Sequence, residues 1–463
     1  MLVPRPALAA LATLLLSACA STHHYQAPQI ALPAAFAHAG PATPATAAVA
    51  ADWWSAYADP DLDRLLRQIG QANPALAQAE ARWRQALALV GAARALDQPQ
   101  LGASAAATRS GAASATGGGT LLATGLDLAW TPDLWGRAAR QRQAAEAGAQ
   151  AQAALRDAAR LALELAAAQG YVRLRALDAQ LALQGATEAA YVRSLALTRA
   201  QYDAGLVARA DVIQAETQLQ SLRTQVFTIG RQRALQANAL ALLAGSTPAE
   251  LPIAARAPGM VALPGMPPVP AALPAELLRR RPDLAAAERQ LAAAHAQWGV
   301  AQTAWLPDLT LSASGGLQAG SLARLLDAPA RVWSLGPALA ATLFDGGTRR
   351  AAEAQALAAY DEQAAAWRAG VLAAVRETED ALAQLATLSD QEREQQRLVA
   401  LAAENERVVG YRYEAGEISF LEVATAQNLA LAARRALVDV QAERLVASMG
   451  LVGALGGGWE GRL

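Results

Sequence analysis

Few side chains in this sequence can do chemistry. There is one cysteine, Cys19, and there are four histidines, at positions 23, 24, 38 and 295. A lone thiol closes no disulfide within the chain and cannot build a multi-cysteine metal site. His23-His24 lies in a Pro- and Ala-rich stretch that reads as a solvated tail rather than a ligand pair. His295 is the one histidine after residue 38. A Ser-His-Asp hydrolase needs a positioned imidazole that this chain barely offers. All 39 basic residues are arginine, so a phosphate-cradling loop with its lysine is excluded. The inventory points away from an enzyme and toward no metal or resident cofactor. Covalent chemistry is left to Cys19.

The surroundings of Cys19 say which chemistry. Arg5 supplies one positive charge, Ala7 to Leu16 is a short apolar run, and Leu16-Ser17-Ala18-Cys19 follows. Such a run is of signal-peptide length and too short for a transmembrane helix. A cysteine at its small-residue boundary resembles the bacterial lipobox, where the thiol is acylated and becomes the mature N-terminus. Residues 1–18 are read as a signal peptide and 19–60 as a lipidated N-terminal tail. Several acyl chains anchor stably where one does not. The residue after the cysteine is Ala20. The Asp that usually retains lipoproteins in the inner membrane is absent, which points to the outer membrane.

The elements that position the rest follow from composition. The chain of 463 residues is 54% hydrophobic but only 5% aromatic and 17% charged, so its apolar fraction is mostly small side chains. Alanine is the best helix former and lets helices approach closely, so long packed helices are expected. A net charge of −1 argues against a nucleic-acid binder.

An internal repeat orders the chain. Asn73-Pro74-Ala75-Leu76 returns as Arg281-Pro282-Asp283-Leu284, and Pro99-Gln100-Leu101 as Pro307-Asp308-Leu309. Asp133-Leu134-Trp135-Gly136-Arg137 matches Leu343-Phe344-Asp345-Gly346-Gly347 within a residue. Tyr202-Asp203-Ala204-Gly205 returns as Tyr413-Glu414-Ala415-Gly416. The first repeat is read over 61–245 and the second over 275–459, joined by a Pro-rich linker at 246–274. Each reads as helix, strand hairpin, very long helix, tip and return helix, with hairpins at 99–131 and 307–343 and tips at 202–211 and 413–422. Pro74 and Pro282 suit a first helical turn. Pro99 and Pro307 stop those helices. Strand periodicity shows in Leu309, Leu311 and Ala313 alternating with Thr310, Ser312 and Ser314. It shows again in Leu126, Leu128 and Trp130, and in Trp333, Leu335 and Leu339. Residues 111–119 and 318–330 read as loops. The long helices, about Gly136 to Tyr202 and Gly347 to Tyr413, lack proline, and some 65 residues would reach roughly 100 Å. Gly205 and Gly416 suit left-handed C-caps.

Four strands cannot close a transmembrane barrel, for which about eight is the minimum. An open sheet in lipid leaves unsatisfied edges. If these strands span a membrane, several chains must share a barrel, and three would give twelve strands. Trp130, Trp135, Trp298, Trp305 and Trp333 lie near the expected strand ends and suit a membrane-interface girdle.

These landmarks resemble the TolC-like outer-membrane efflux channels, in particular their NodT/OprM lipoprotein branch. The resemblance rests on the lipobox at Cys19, on Trp53-Trp54-Ser55-Ala56-Tyr57-Ala58-Asp59-Pro60-Asp61-Leu62, and on the paired motifs above. Ala454-Leu455-Gly456-Gly457-Gly458-Trp459 completes it. It implies a mainly α chain with a small membrane β part. It also implies a homotrimer with a shared twelve-stranded β-barrel, continued by a twelve-helix periplasmic α-barrel with an equatorial belt to which 246–274 contributes. The implied function is the exit duct of a tripartite efflux system, fed by an inner-membrane RND-type pump through a periplasmic adaptor. The other reading, a peripheral lipoprotein with long helical hairpins acting as adaptor or spacer, would need no lipid-facing strand faces.

The resemblance also assigns tip residues. Tyr202, Gly205, Asp211, Tyr413, Gly416 and Ser419 fall in the segments that meet the adaptor and close the periplasmic end. Some relatives carry an Asp two residues after the second-tip glycine as a charged ring. Here that position is Ile418, beside Glu417, so the candidate gate is a Glu417 ring or an apolar one. Glu377, Glu379 and Asp380 read as a solvated or lumen-facing stripe rather than an acid–base pair.

Overall fold

The computed structural model describes residues 25–38, 50–111, 119–256, 263–268, 279–327 and 330–459. Cys19 with the signal-peptide stretch, most of the 111–119 loop and parts of the 246–274 linker lie outside the described residues. In chain order the elements are α1 (Pro60–Ala72), α2 (Pro74–Ala95), β1 (Gln100–Ser110), β2 (Gly119–Trp130), α3 (Arg137–Asp203) and α4 (Arg209–Leu243). The second half adds α5 (Pro282–Thr303), β3 (Asp308–Ala319), β4 (Arg331–Ala340), α6 (Thr348–Glu414) and α7 (Phe420–Ala454). Helices α3 and α6 are each 67 residues long, and neither contains proline. Among the described residues no helix is long and apolar enough to cross a membrane.

The contacts divide the chain into two compact units, and neither unit is a sequence repeat. One unit holds Arg82–Ala153 and Ala286–Ala369 with the segment ending at Ile30; the other holds Ala31–Ala81, Ala154–Ala285 and Gly370–Leu463. Each unit draws on both repeats because each repeat's long helix passes from one to the other.

The first unit carries one antiparallel sheet in the order β1-β2-β3-β4. The two hairpins join where β2 pairs β3, with Gly125 opposite Gly316. Strand β3 runs two residues into the stretch read as loop, because Gln318 and Ala319 pair with Ala123 and Leu122.

The second unit has its core where the residues before α1 meet the helices. Trp53, Trp54 and Tyr57 pack with Leu62, Leu66 and Ile69 of α1, Tyr171 and Leu174 of α3, Leu240 of α4 and Met449 of α7. Residues 53–60 were placed in the lipidated tail by the sequence reading. Here they are core, because two indoles and a phenol find apolar cover there. Linker residues Leu251, Ile253, Leu263 and Met266 pack on the same core. Asp59 caps α1, accepting from the Asp61 and Leu62 N–H groups at 3.0 and 3.3 Å. It also receives Arg256 Nη2 at 2.8 Å and the Tyr171 hydroxyl at 3.0 Å. Burial pushes the Asp59 carboxyl up, but the bonds from Arg256, Tyr171 and the Leu62 N–H outweigh it and hold it below the ordinary value. Arg175 and Arg233 both pair with buried Asp178, at 2.8 and 2.6 Å, and reach the Ala254 and Ile253 carbonyls.

The repeat survives as matched clasps in this unit. Asn73 Nδ2 donates to the Leu243 carbonyl at 2.7 Å, and Arg281 Nη1 donates to the Ala454 carbonyl at 3.2 Å. Asn73 and Arg281 are repeat equivalents, and so are Leu243 and Ala454. A Cβ on Gly245 would collide with the Ala72 carbonyl, and one on Gly456 with the Arg280 carbonyl. These carbonyls of α4 and α7 have no partner within their own helix ends, so a side chain from the next helix start supplies one.

Candidate functional site

Two surfaces carry the site: the faces of the sheet and the helix tips. In the sheet, register assigns every side chain to a face. Leu101, Leu122, Leu126, Leu128, Trp130, Leu309, Leu311, Leu335 and Leu339 share one face, with Pro337 among them. The opposite face carries Ser104, Thr108, Asp127, Thr310, Ser312, Ser314, Gln318 and Ser334 beside small residues, with Leu121 and Val332 at its loop end, where the leucine face in turn carries Arg109 and Arg331. Hydrogen bonds tie that polar face together: Ser104 Oγ to Asp127 Oδ2 at 3.1 Å and Ser314 Oγ to Ser334 Oγ at 2.9 Å. Such a sheet has one side made for hydrocarbon and one made for water. Among the described residues, neither outer edge, β1 nor β4, has a strand beside it. A single chain therefore leaves two rows of unpaired backbone groups, which lipid does not tolerate.

The backbones of β2 and β3 approach closely at the centre of the sheet. A Cβ on Gly316 would overlap the Thr124 carbonyl oxygen, whereas one on neighbouring Gly315 would meet nothing. Glycine inside a strand marks such close backbone approach, a signal that the sequence itself carries at 315 and 316.

Three tryptophans line the helix-side end of the sheet. Trp130 donates its indole N–H to the Asp97 carbonyl at 3.1 Å, and Trp135 to the Pro307 carbonyl at 2.7 Å. Trp305 donates to Glu353 Oε2 at 3.1 Å, with the Arg349 guanidinium 4.6 Å from its ring centre. Arg349 also holds Asp345, whose carboxyl is brought down to about 2 by the Arg349 side chain and by the Arg349 and Gly347 N–H groups. Trp333 lies elsewhere: it is opposite Gly315, four pairs along β3 from the Leu311–Trp130 pair. It is 81% exposed on the apolar face. Trp298 is not at a strand end; it stacks on Tyr360 inside the α5–α6 region, their ring centres 6.1 Å apart.

The tips are built alike and packed differently. At the first, the Gly205 N–H bonds the Tyr202 carbonyl and the Leu206 N–H bonds the Gln201 carbonyl, at 2.8 and 2.9 Å. At the second, Gly416 bonds Tyr413 and Glu417 bonds Arg412, at 3.0 and 2.9 Å. Both glycines have positive φ, +75° and +77°, as this helix ending requires. Asp211 accepts from the Ala208 N–H at 3.2 Å and so caps α4. Ser419 is the N-cap of α7 but makes no side-chain cap bond. Tyr413 is 3% exposed and shares a 2.9 Å hydrogen bond with Thr198, while Tyr202 is 41% exposed. Burial pushes the Tyr413 phenol up. Glu417 is paired to Arg412 at 3.2 Å, and Ile418 packs partly buried against the cluster of Tyr191, Leu195, Leu219, Phe420 and Val423. The Thr198–Tyr413 link was invisible to sequence reasoning, since it joins residues 215 positions apart.

In the helical unit α3 bonds α4 through Arg223–Glu188, and α7 bonds α6 through Arg444–Glu392, both at 2.7 Å. The outward sides of α4 and α6 keep apolar stripes in solvent: Ile213, Phe227, Leu235 and Leu242 on α4, Leu372, Leu398, Leu401 and Val408 on α6. Exposed apolar stripes of that size mark interaction surfaces.

The sequence matches the family profile described as outer membrane efflux protein over residues 65–246 and 273–457. It is 34% identical to the pyoverdine export outer membrane protein OpmQ of Pseudomonas aeruginosa, over 97% of this chain and 96% of that one. It is 32% identical to nodulation protein T of Rhizobium leguminosarum bv. trifolii, over 90% and 89% of the two. The solved outer-membrane channel OprN superposes with a TM-score of 0.87 at 28% identity, over 95% of this chain and 99% of that one.

Proposed function

This chain belongs to the outer membrane efflux protein family, and on that premise we propose that three copies close one pore that carries small molecules out of the cell. It is a transport protein of the outer membrane rather than an enzyme, and its fold is that of the TolC-like channels.

One observation carries the trimer reading: among the described residues no strand lies beside β1 or β4. The helix set likewise presents exposed apolar stripes on α4 and α6. A head-to-tail contact satisfies both only if it closes into a ring. Three chains place twelve strands in one barrel, apolar outside and polar inside. The helices of the other unit supply the wall of the periplasmic duct. The tip turns at Gly205 and Gly416 would meet a periplasmic adaptor, and the adaptor an RND-type inner-membrane pump. Tyr202, Asp211, Tyr413 and Ser419 belong to that contact region. Glu417, with Ile418 behind it, would face the constriction. Trp130, Trp135 and Trp305 would mark one membrane interface. Cys19 would carry the acyl anchor, with no other cofactor.

Membrane extraction tests this reading against a peripheral lipoprotein. After alkaline carbonate treatment of membranes bearing a Cys19→Ser variant, the channel stays in the membrane pellet and cross-links to trimers. Release as soluble monomer would support the spacer reading instead.

A further inference from the structure

The tail beyond the acylation motif is seated on the protein, and the seat is aromatic. The Tyr25 ring lies 5.6 Å from the His295 ring of α5. His295 in turn meets Trp298 at 5.9 Å and Tyr360 of α6 at 5.7 Å, both edge-on. The Tyr25 hydroxyl donates to the Glu288 carbonyl at 3.4 Å. Burial is the largest cause that pushes this phenol up. All these residues belong to the unit that carries the sheet, and α5 runs into β3 within a few residues. Further along, Phe36 is buried, and the Glu379 carboxylate accepts the Ala37 and His38 N–H groups at 2.6 and 3.0 Å.

A polar, Pro- and Ala-rich tail has no need of such contacts if it only links an anchor to a body. We propose that Tyr25, His295, Trp298 and Tyr360 form a clamp that fixes where the acyl anchor enters the membrane relative to the strands. The proposal rests on the lipidation of Cys19. Five residues lie between Cys19 and Tyr25, a tether whose six Cα steps span at most about 20 Å. With Tyr25 released, the next buried side chain is Phe36, and the chain from Cys19 to there could extend over about 60 Å. The clamp thus makes the lipid a positional device as well as a retention signal. Aromatic pairs at these separations are favourable beyond their burial, and His295 joins three of them at once.

Chymotrypsin cleavage after Tyr25 tests this on the purified full chain, because the protease must take up the ring that the clamp holds. In the unaltered protein that cut should be at least about tenfold slower than in a free peptide of residues 19–31, since local opening must precede it. His295→Ala with Tyr360→Ala should abolish the protection while β1–β4 stay resistant. Cys19→Ser should leave the protection intact, because the clamp is made by side chains, and so should Glu379→Ala, which loosens only 36–38. The clamp is overturned by cleavage of the unaltered chain as fast as that of the free peptide, by protection that survives His295→Ala with Tyr360→Ala, or by protection lost in Cys19→Ser. The mass of the N-terminal peptide reads lipidation separately: an unacylated peptide overturns the anchor role even where the protection stands.

Discussion

Arg412 and Glu417 are joined twice across the second tip. The Arg412 Nε donates to Glu417 Oε2 at 3.2 Å, and the Glu417 N–H bonds the Arg412 carbonyl at 2.9 Å. The backbone bond belongs to the helix ending; the ion pair sits on top of it. Its side chains are 50% and 59% exposed, so the pair contributes about 0–1 kcal/mol to stability. Its weight is in the local field. Glu417→Gln removes a negative charge and leaves Arg412 unmatched, so the pore should become less cation-selective. Arg412→Ala should shift selectivity the other way. Reversal potentials across planar bilayers in a salt gradient measure both, with the melting temperature of the trimer unchanged. Identical reversal potentials in all three proteins would remove Glu417 from the constriction.

The centre of the sheet gives a sharper contrast. Gly316→Val sets a side chain against the Thr124 carbonyl, so β2 and β3 cannot keep their spacing. Gly315→Ala, one residue away on the other face, meets open space. The first substitution should abolish heat-resistant trimers on gels and the second should preserve them. Trimers from both would show that assembly does not need the close approach of β2 and β3.

Acid should find the Asp59 network. The Asp59 carboxyl is held below its ordinary value of 3.8, so the unfolded chain takes up that proton first as pH falls. Its contribution is complete above 3.8 and is lost as pH drops through the lowered native value. Asp59→Asn should cost about 2 kcal/mol at neutral pH, the scale of charge-assisted hydrogen bonds. The gap between variant and parent in urea midpoint should close progressively below pH 3.8. A gap that persists unchanged at lower pH would place the cost elsewhere.

Much of this was legible in the sequence because turn chemistry and periodicity are local. Gly205 and Gly416 announced the tips, and alternation at Leu309–Ser314 announced a two-faced strand. The proline-free runs announced α3 and α6. What was hidden depends on distant pairing. Nothing local ties Asn73 to Leu243, or Arg256 in the linker to Asp59. The burial of Trp53, Trp54 and Tyr57 was missed because a short 3-10 turn has no helical period to read. Trp298 was misplaced because aromatic residues near a strand end look alike until Tyr360 is brought beside one of them.

The α4 stripe separates assembly from folding. Phe227 is 79% exposed in the single chain, so none of the described residues covers it. Phe227→Glu should leave helix content unaltered while shifting the protein from trimer to monomer, as mass photometry in detergent would read. A trimer of unchanged stability would mean that α4 does not face a neighbouring copy.

The most direct test is conductance. Purified protein, confirmed as a trimer, is added to a planar bilayer under applied voltage. Discrete, uniform current steps are expected, each from one trimer, and none from Gly316→Val. A folded trimer that inserts yet passes no ions at any voltage or pH would contradict the shared pore.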